Sequence, residues 1–90
     1  MRVTIVGGGL QGVELCWLAQ KAGWETLLVD ERSSPPALRL ADVFAQCDVT
    51  KLGGSGVLTR KVEHQILGTD IVIPALENAA ALAALDGWCA

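Results

Sequence analysis

Gly7, Gly9 and Gly12 stand at the spacing G-x-G-x-x-G, directly after the apolar run Arg2–Val6. At that spacing the first glycine permits a tight turn and the second lets a phosphate approach the backbone. The third lets a following helix pack closely on the strand it has left. A helix that begins there adds unpaired N–H groups and a partial positive charge, which suit an anion. Asp30 ends a second apolar run, where dinucleotide-binding domains place a carboxylate that accepts hydrogen bonds from an adenosine ribose. Its neighbour Glu31 disfavours a 2′-phosphate, whereas Arg32 leaves that ligand open. Beyond a third apolar run lie Glu77 and Asn78. The carboxylate of Glu77 suits the ammonium group of an amino acid, and the amide of Asn78 adds a donor or an acceptor. Each feature also has a reading without a ligand: a bare glycine turn, a solvated aspartate, and a glutamate that complements a helix N-terminus by about 0.3–1 kcal/mol.

These residues need elements to hold them. Arg2–Val6, Glu25–Val29 and Asp70–Pro74 are short continuous apolar runs, the pattern of parallel strands covered on both faces, and Val43–Val49 is a weaker fourth. Between them the sequence predicts a helix over Gln11–Ala22, with Leu15, Leu18, Ala19 and Ala22 on its buried stripe and Gly23 ending it in a left-handed conformation. Ser34 as N-cap and Pro35 at the first helical position start a short helix to Ala41. Gly53, Gly54 and Gly56 predict a flexible turn, Val57–Leu67 a helix, and residues 74–88 a last helix that is apolar nearly all round. Alternating strands and helices with right-handed crossovers imply an α/β half-Rossmann fold. Its four-stranded parallel sheet has the order 3-2-1-4 and helices on both faces. In that order the glycine turn and the segment after the last strand face one another across a cleft, and a ligand sits between them.

Ninety residues make one domain, 1–90, with a small core and slim stability. Apolar residues make up 51% of the chain and mean hydropathy is +0.40, so either both sheet faces are covered or apolar surface awaits a partner. Seven basic residues are scattered among ten acidic ones, aromatic residues are 4%, and no cationic cluster forms, which argues against nucleic acid. No apolar run approaches the roughly 20 residues of a membrane span, and the early glycines argue against a signal peptide, so the expected location is cytoplasmic. Cys16, Cys47 and Cys89 lack metal or disulfide spacing and read as buried inert thiols. No metal ligands of the chain's own are expected. His64 reads as a surface residue, and Trp17, Trp24 and Trp88 as packing anchors.

The stretches GGGLQG at Gly7–Gly12, KAGW at Lys21–Trp24 and LAD with Phe44 at Leu40–Phe44, together with the P-x-LEN pattern at Pro74–Asn78, resemble the N-terminal segment of ATP-grasp carboxylate–amine ligases. The resemblance is greatest to the kind that acts in pyrrolysine biosynthesis, and it covers most of the chain. It implies an enzyme that activates a carboxylate as an acyl phosphate with ATP and Mg²⁺ and captures it with an amine. The metal and the clamp on ATP would belong to further lobes or to a separate subunit, so no catalytic residue is expected within these 90. Gly7, Gly9, Leu10, Gln11, Gly12, Asp30, Asp48 and Val49 would line the nucleotide, and Leu10, Gln11, Glu77 and Asn78 the amino-acid substrate. In two places the chain departs from that pattern. Gly9 stands where the resembled ligase carries lysine, and LGGSGVLTRKVEHQI replaces an ordinary short helix-forming segment. Two other readings stay open: an NAD(P)- or FAD-binding half of an oxidoreductase that uses the same glycines and Asp30, and a non-catalytic assembly domain that forms a homodimer.

Overall fold

In the computed structural model, residues 1–48, 57–76, 83 and 87 are described. Strands β1 (Arg2–Val6), β2 (Glu25–Asp30), β3 (Val43–Gln46) and β4 (Ile71–Pro74) pair in parallel in the order β3-β2-β1-β4. The register sets Val6 beside both Val29 and Pro74, so the three strands end level at one edge of the sheet. The predicted order and helices on both faces are what the structure has.

In the two central strands every residue after the first is buried, because each face carries its own apolar layer. On one face, α1 (Leu10–Lys21) and a 3-10 segment (Pro36–Leu40) bring Cys16, Ala19 and Ala37 onto Val3, Ile5 and Leu28. On the other, α2 (Val57–Leu67) lays Val62 and Ile66 on Val6, Leu27, Val29 and Ala45. The buried hydroxyl of Thr4 is satisfied by Thr69 Oγ1 at 2.7 Å, which removes the cost of a threonine in the central strand. Asp42 does the same for Thr26 and ties the start of β3 to β2: its Oδ2 accepts from Thr26 N at 2.8 Å.

Several local expectations change. The buried stripe of α1 is Gly12, Cys16 and Ala19, whereas Leu18 is 54% exposed. Small residues face the sheet because the helix leaves β1 through a turn too tight for larger ones. Ser34 caps nothing. The 3-10 segment starts at Pro36 without a side-chain cap, and its Ala37 N–H donates to Gly8 O at 3.0 Å, so the segment is anchored on the glycine turn instead. Trp17 is 49% exposed, with Lys21 Nζ 4.4 Å above its ring. Gly23 has φ of +77° and ends α1 as expected. Cys16 is buried and Cys47 half-buried, and His64 is exposed. The glycine turn at 53–56, Val49, Cys89, Trp88 and most of the last helix lie outside the described residues. Among the described residues, no helix is long and apolar enough to cross a membrane, and no cluster of His, Cys, Asp or Glu is arranged to hold a metal.

Candidate functional site

At the carboxyl edge of the sheet, two loops are pressed together. Gly7 N donates to Val29 O at 2.8 Å and Ala75 N to Val6 O at 2.7 Å, so each loop begins as a continuation of strand pairing. Gly7 has φ of +109°, and a Cβ there would collide with the carbonyl oxygen of Ala75 and lie 3.2 Å from Leu76 Cδ2. A Cβ at Gly12 would collide with the carbonyl oxygen of Gly7. The first and third glycines of the motif therefore act as predicted, as a tight turn and a close helix–strand approach. Around Gly9 there is room: the nearest atom to an added Cβ is Arg32 Nη2 at 3.8 Å. Crowding demands glycine instead at Gly8, where a Cβ would lie 2.6 Å from Pro35 Cβ and 3.2 Å from Asp30 Oδ2. The motif spacing passes over Gly8; its only sequence signal is the unbroken run Gly7–Gly9.

Asp30 lies beneath this turn, 7% exposed. Its Oδ2 accepts from Gly8 N at 2.7 Å and from Arg32 Nη2 at 2.9 Å. Its Oδ1 accepts from Arg32 N at 2.8 Å and Arg32 Nε at 3.0 Å. Burial pushes the Asp30 carboxyl upward. The hydrogen bonds from the Arg32 side chain, those from the Arg32 and Gly8 N–H groups, and the guanidinium charge together outweigh it, and the carboxyl is held below its ordinary value. The same pair pushes Arg32 up. Arg32, about half exposed, is a site residue that sequence reasoning left at the margin; the Asp-x-Arg spacing was its signal.

The N-terminus of α1 opens beside the turn. Gly9 is its N-cap, with no side-chain cap and no acidic residue in the first turn, and Val13 N closes the first helical bond on Gly9 O at 2.9 Å. The N–H groups of the first turn thus lack intrahelical acceptors. Leu10, 81% exposed, and the exposed Gln11 stand at this opening. Asp48 is half-buried just past β3, in a loop tied to the end of β2 by Cys47 N donating to Asp30 O at 2.9 Å. The structure therefore brings Gly7, Gly9, Leu10, Gln11, Gly12 and Asp30 together with the segment Ala75–Leu76, and sets Asp48 near the Asp30 end of the edge. Val49, Glu77 and Asn78 lie outside the described residues. A separate cleft of about 310 Å³, lined in part by Arg2, Glu25, Val43 and His64, opens toward the amino ends of the strands, away from these groups.

No family model matches the chain. Among curated proteins it is 34% identical over 86 residues to formate-dependent phosphoribosylglycinamide formyltransferase of Prochlorococcus marinus strain MIT 9313, covering 93% of this chain and 21% of that protein. It is 33% identical over 84 residues to 3-methyl-D-ornithine–L-lysine ligase of Methanosarcina barkeri, covering 93% of this chain and 22% of the ligase. Among solved structures, N5-carboxyaminoimidazole synthetase from Staphylococcus aureus, complexed with ADP, shares the fold with a TM-score of 0.70 at 24% identity, over 86% of this chain and 19% of that one. The chain spans about a fifth of the length of the curated relatives it matches.

Proposed function

We propose, on the premise that the chain belongs with the N-terminal domains of the ATP-grasp ligases, that its carboxyl edge is one wall of the ligand cleft of an ATP-dependent amide-forming enzyme. The observation that carries this reading is the packing of the glycine turn against Ala75–Leu76, with an α1 N-terminus beside it that no side chain caps. That juxtaposition sets an anion-binding backbone next to the segment leading to Glu77 and Asn78. In this reading, Gly9, Leu10 and Gln11 meet the phosphate or carboxylate of a ligand, and Asp48 and Val49 flank it. Glu77 and Asn78 take the ammonium group of an amino acid.

ATP, bound with Mg²⁺, would supply the phosphoryl group that turns a substrate carboxylate into an acyl phosphate, and in this reading other lobes or a separate subunit hold the metal. These 90 residues alone then bind ligand weakly and turn nothing over. Pyrrolysine-type chemistry is the finer reading, supported by the likeness to the lysine-joining ligase, and a cytoplasmic location goes with it. The dinucleotide reading loses its central contact, because the Asp30 carboxylate is already taken by Gly8 and Arg32 rather than held open for a ribose.

The test is a titration followed by ¹H–¹⁵N NMR. ADP is expected to shift the Gly9–Gly12 amides at millimolar concentration and NADH to leave them in place. Shifts with NADH alone would overturn the proposal.

A second reading has one observation in its favour. Trp17 and Leu18, each about half exposed on the outer part of α1, leave apolar surface that a second copy of the chain could cover. Light scattering over a concentration series tests it: mass that rises with concentration supports a homodimer, and constant monomer mass excludes one.

A further inference from the structure

We infer that Asp30 and Arg32 are positioning residues: they grip Gly8 from beneath and so set the conformation in which Gly9, Leu10 and Gln11 meet a ligand, without touching that ligand themselves. The inference deepens the proposed nucleotide reading and rests on it for its functional half.

Three features of the structure carry it. First, both polar groups of the Gly8 backbone are held by the stretch that runs from the end of β2 into the 3-10 segment. Its N–H donates to Asp30 Oδ2 at 2.7 Å and its carbonyl accepts from Ala37 N at 3.0 Å. The space above its Cα is closed by Pro35 and by Asp30 itself. A single residue of the turn is therefore fastened on three sides by the segment 30–37.

Second, the Asp30 carboxylate has about four sites for accepting hydrogen bonds, and four bonds fill them: one from Gly8, one from the Arg32 N–H and two from its guanidinium. A buried carboxylate so occupied has no lone pair to offer a ribose hydroxyl. Arg32 approaches side-on through Nε and Nη2, a bidentate geometry that fixes the plane of the carboxylate and hence the direction in which Oδ2 faces Gly8.

Third, among the described residues, Gly9 is fixed by its chain neighbours: Gly8 before it and the first turn of α1 after it, where Val13 N donates to Gly9 O. A Cβ added at Gly9 would meet only Arg32 Nη2, at 3.8 Å, and as the N-cap of α1 Gly9 brings no side chain of its own to the turn. Its conformation is inherited from Gly8 on one side and the helix on the other.

The experiment compares the native chain with Arg32→Gln, Arg32→Lys and Asp30→Asn by ¹H–¹⁵N NMR, then titrates each with ADP and with 2′-deoxy-ADP. Arg32 is half exposed, so Arg32→Gln keeps a folded chain even where Asp30→Asn does not. Arg32→Gln is expected to move the Gly8, Gly9 and Leu10 amides while those of Val62 and Ile66 on the opposite face stay in place, and Arg32→Lys is expected to restore part of that change. ADP affinity should fall roughly three- to tenfold in Arg32→Gln and Asp30→Asn, the size of one net hydrogen bond. The ratio of ADP to 2′-deoxy-ADP affinity should equal that of the native chain in every variant. If Asp30→Asn abolishes a preference for ADP over 2′-deoxy-ADP, Asp30 contacts the ribose directly and the inference is overturned. An unmoved Gly8 amide in Arg32→Gln overturns it as well. Should ADP perturb no resonance in any variant while Gly8 still responds to Arg32→Gln, the nucleotide reading alone falls, and the grip on the turn stands.

Discussion

At Gly12 one added methyl group would meet the carbonyl of Gly7, and at Gly8 it would meet Pro35, whereas at Gly9 it would meet nothing closer than the tip of Arg32. Three neighbouring glycines thus carry different constraints, and substitution separates them. Gly12→Ala and Gly8→Ala should each destabilise the chain by about 2–3 kcal/mol, because backbone or ring atoms rather than a flexible side-chain end must give way. Gly9→Ala should cost only about 0.5–1 kcal/mol, the difference between glycine and alanine at an N-cap. Urea denaturation of the three variants checks the ranking, and a Gly9 loss equal to that of Gly12 would contradict it. Asp30 adds a pH dependence. Its carboxyl is held lower in the folded chain than in the unfolded one, where it titrates near about 3.9. The stabilisation is therefore fully present above that value and is lost as pH falls through the folded value. Asp30→Asn should cost roughly 1–3 kcal/mol at pH 7, and the gap from the native chain should narrow steadily below pH 4. A gap of constant size down to pH 2 would mean that the charge of Asp30 contributes nothing.

The helices repeat this distinction between a signal carried by residue type and one carried by contact. Sheet order was legible because short apolar runs alternate with helix-length segments, and only right-handed crossovers connect such strands in parallel. Helix α2 was legible in its bounds, Val57–Leu67. The buried stripe of α1 was legible at Ala19 and in part at Leu15, but Leu18 and Ala22 stood in the expected stripe where Gly12 and Cys16 belong, because the tight exit from β1 selected small residues. Ser34 misled for a related reason: a serine before two prolines has the composition of a cap, yet Ala37 finds its acceptor across the chain at Gly8. The candidate site was legible where glycine spacing reports local crowding. It was not legible where the partners of Asp30 depend on folding: the long-range bond from Gly8 N and the bidentate contact from Arg32. Substitutions on the helices should follow the observed stripe. Leu18→Lys should leave stability within about 0.5 kcal/mol, whereas Ala19→Leu, forced against the sheet, should cost about 1–3 kcal/mol. Ile66→Ala on α2 should cost about 2–5 kcal/mol, as the deletion of a fully buried side chain does. Thermal or chemical denaturation distinguishes the three.

Across the whole molecule, the core is two thin layers on a four-stranded sheet within 35 × 24 × 24 Å. A chain of this size retains little excess stability, so a ligand that binds only the folded state should register strongly in melting temperature. At a free ADP concentration ten times its dissociation constant, linkage adds about 1.4 kcal/mol. For a domain of fewer than 100 residues, that free energy corresponds to a rise of roughly 6–11 °C in Tm. The glycine turn joins β1 to α1, and its partner loop continues β4. A ligand bridging the two therefore resists the separation of the central pair from the β4 edge, and the shift should appear as a single cooperative transition rather than a biphasic one. Removing the grip on Gly8 with Arg32→Gln should lower both the starting Tm and the increment that a given ADP concentration provides, because affinity falls with the loss of a preset turn. Leu18→Lys, on the solvent side of α1, should leave the increment unchanged. If NADH raised Tm as far as ADP at equal multiples of saturation and Asp30→Asn removed only the NADH response, the cleft would be a dinucleotide site, and the ligase reading of this edge would give way to the oxidoreductase one.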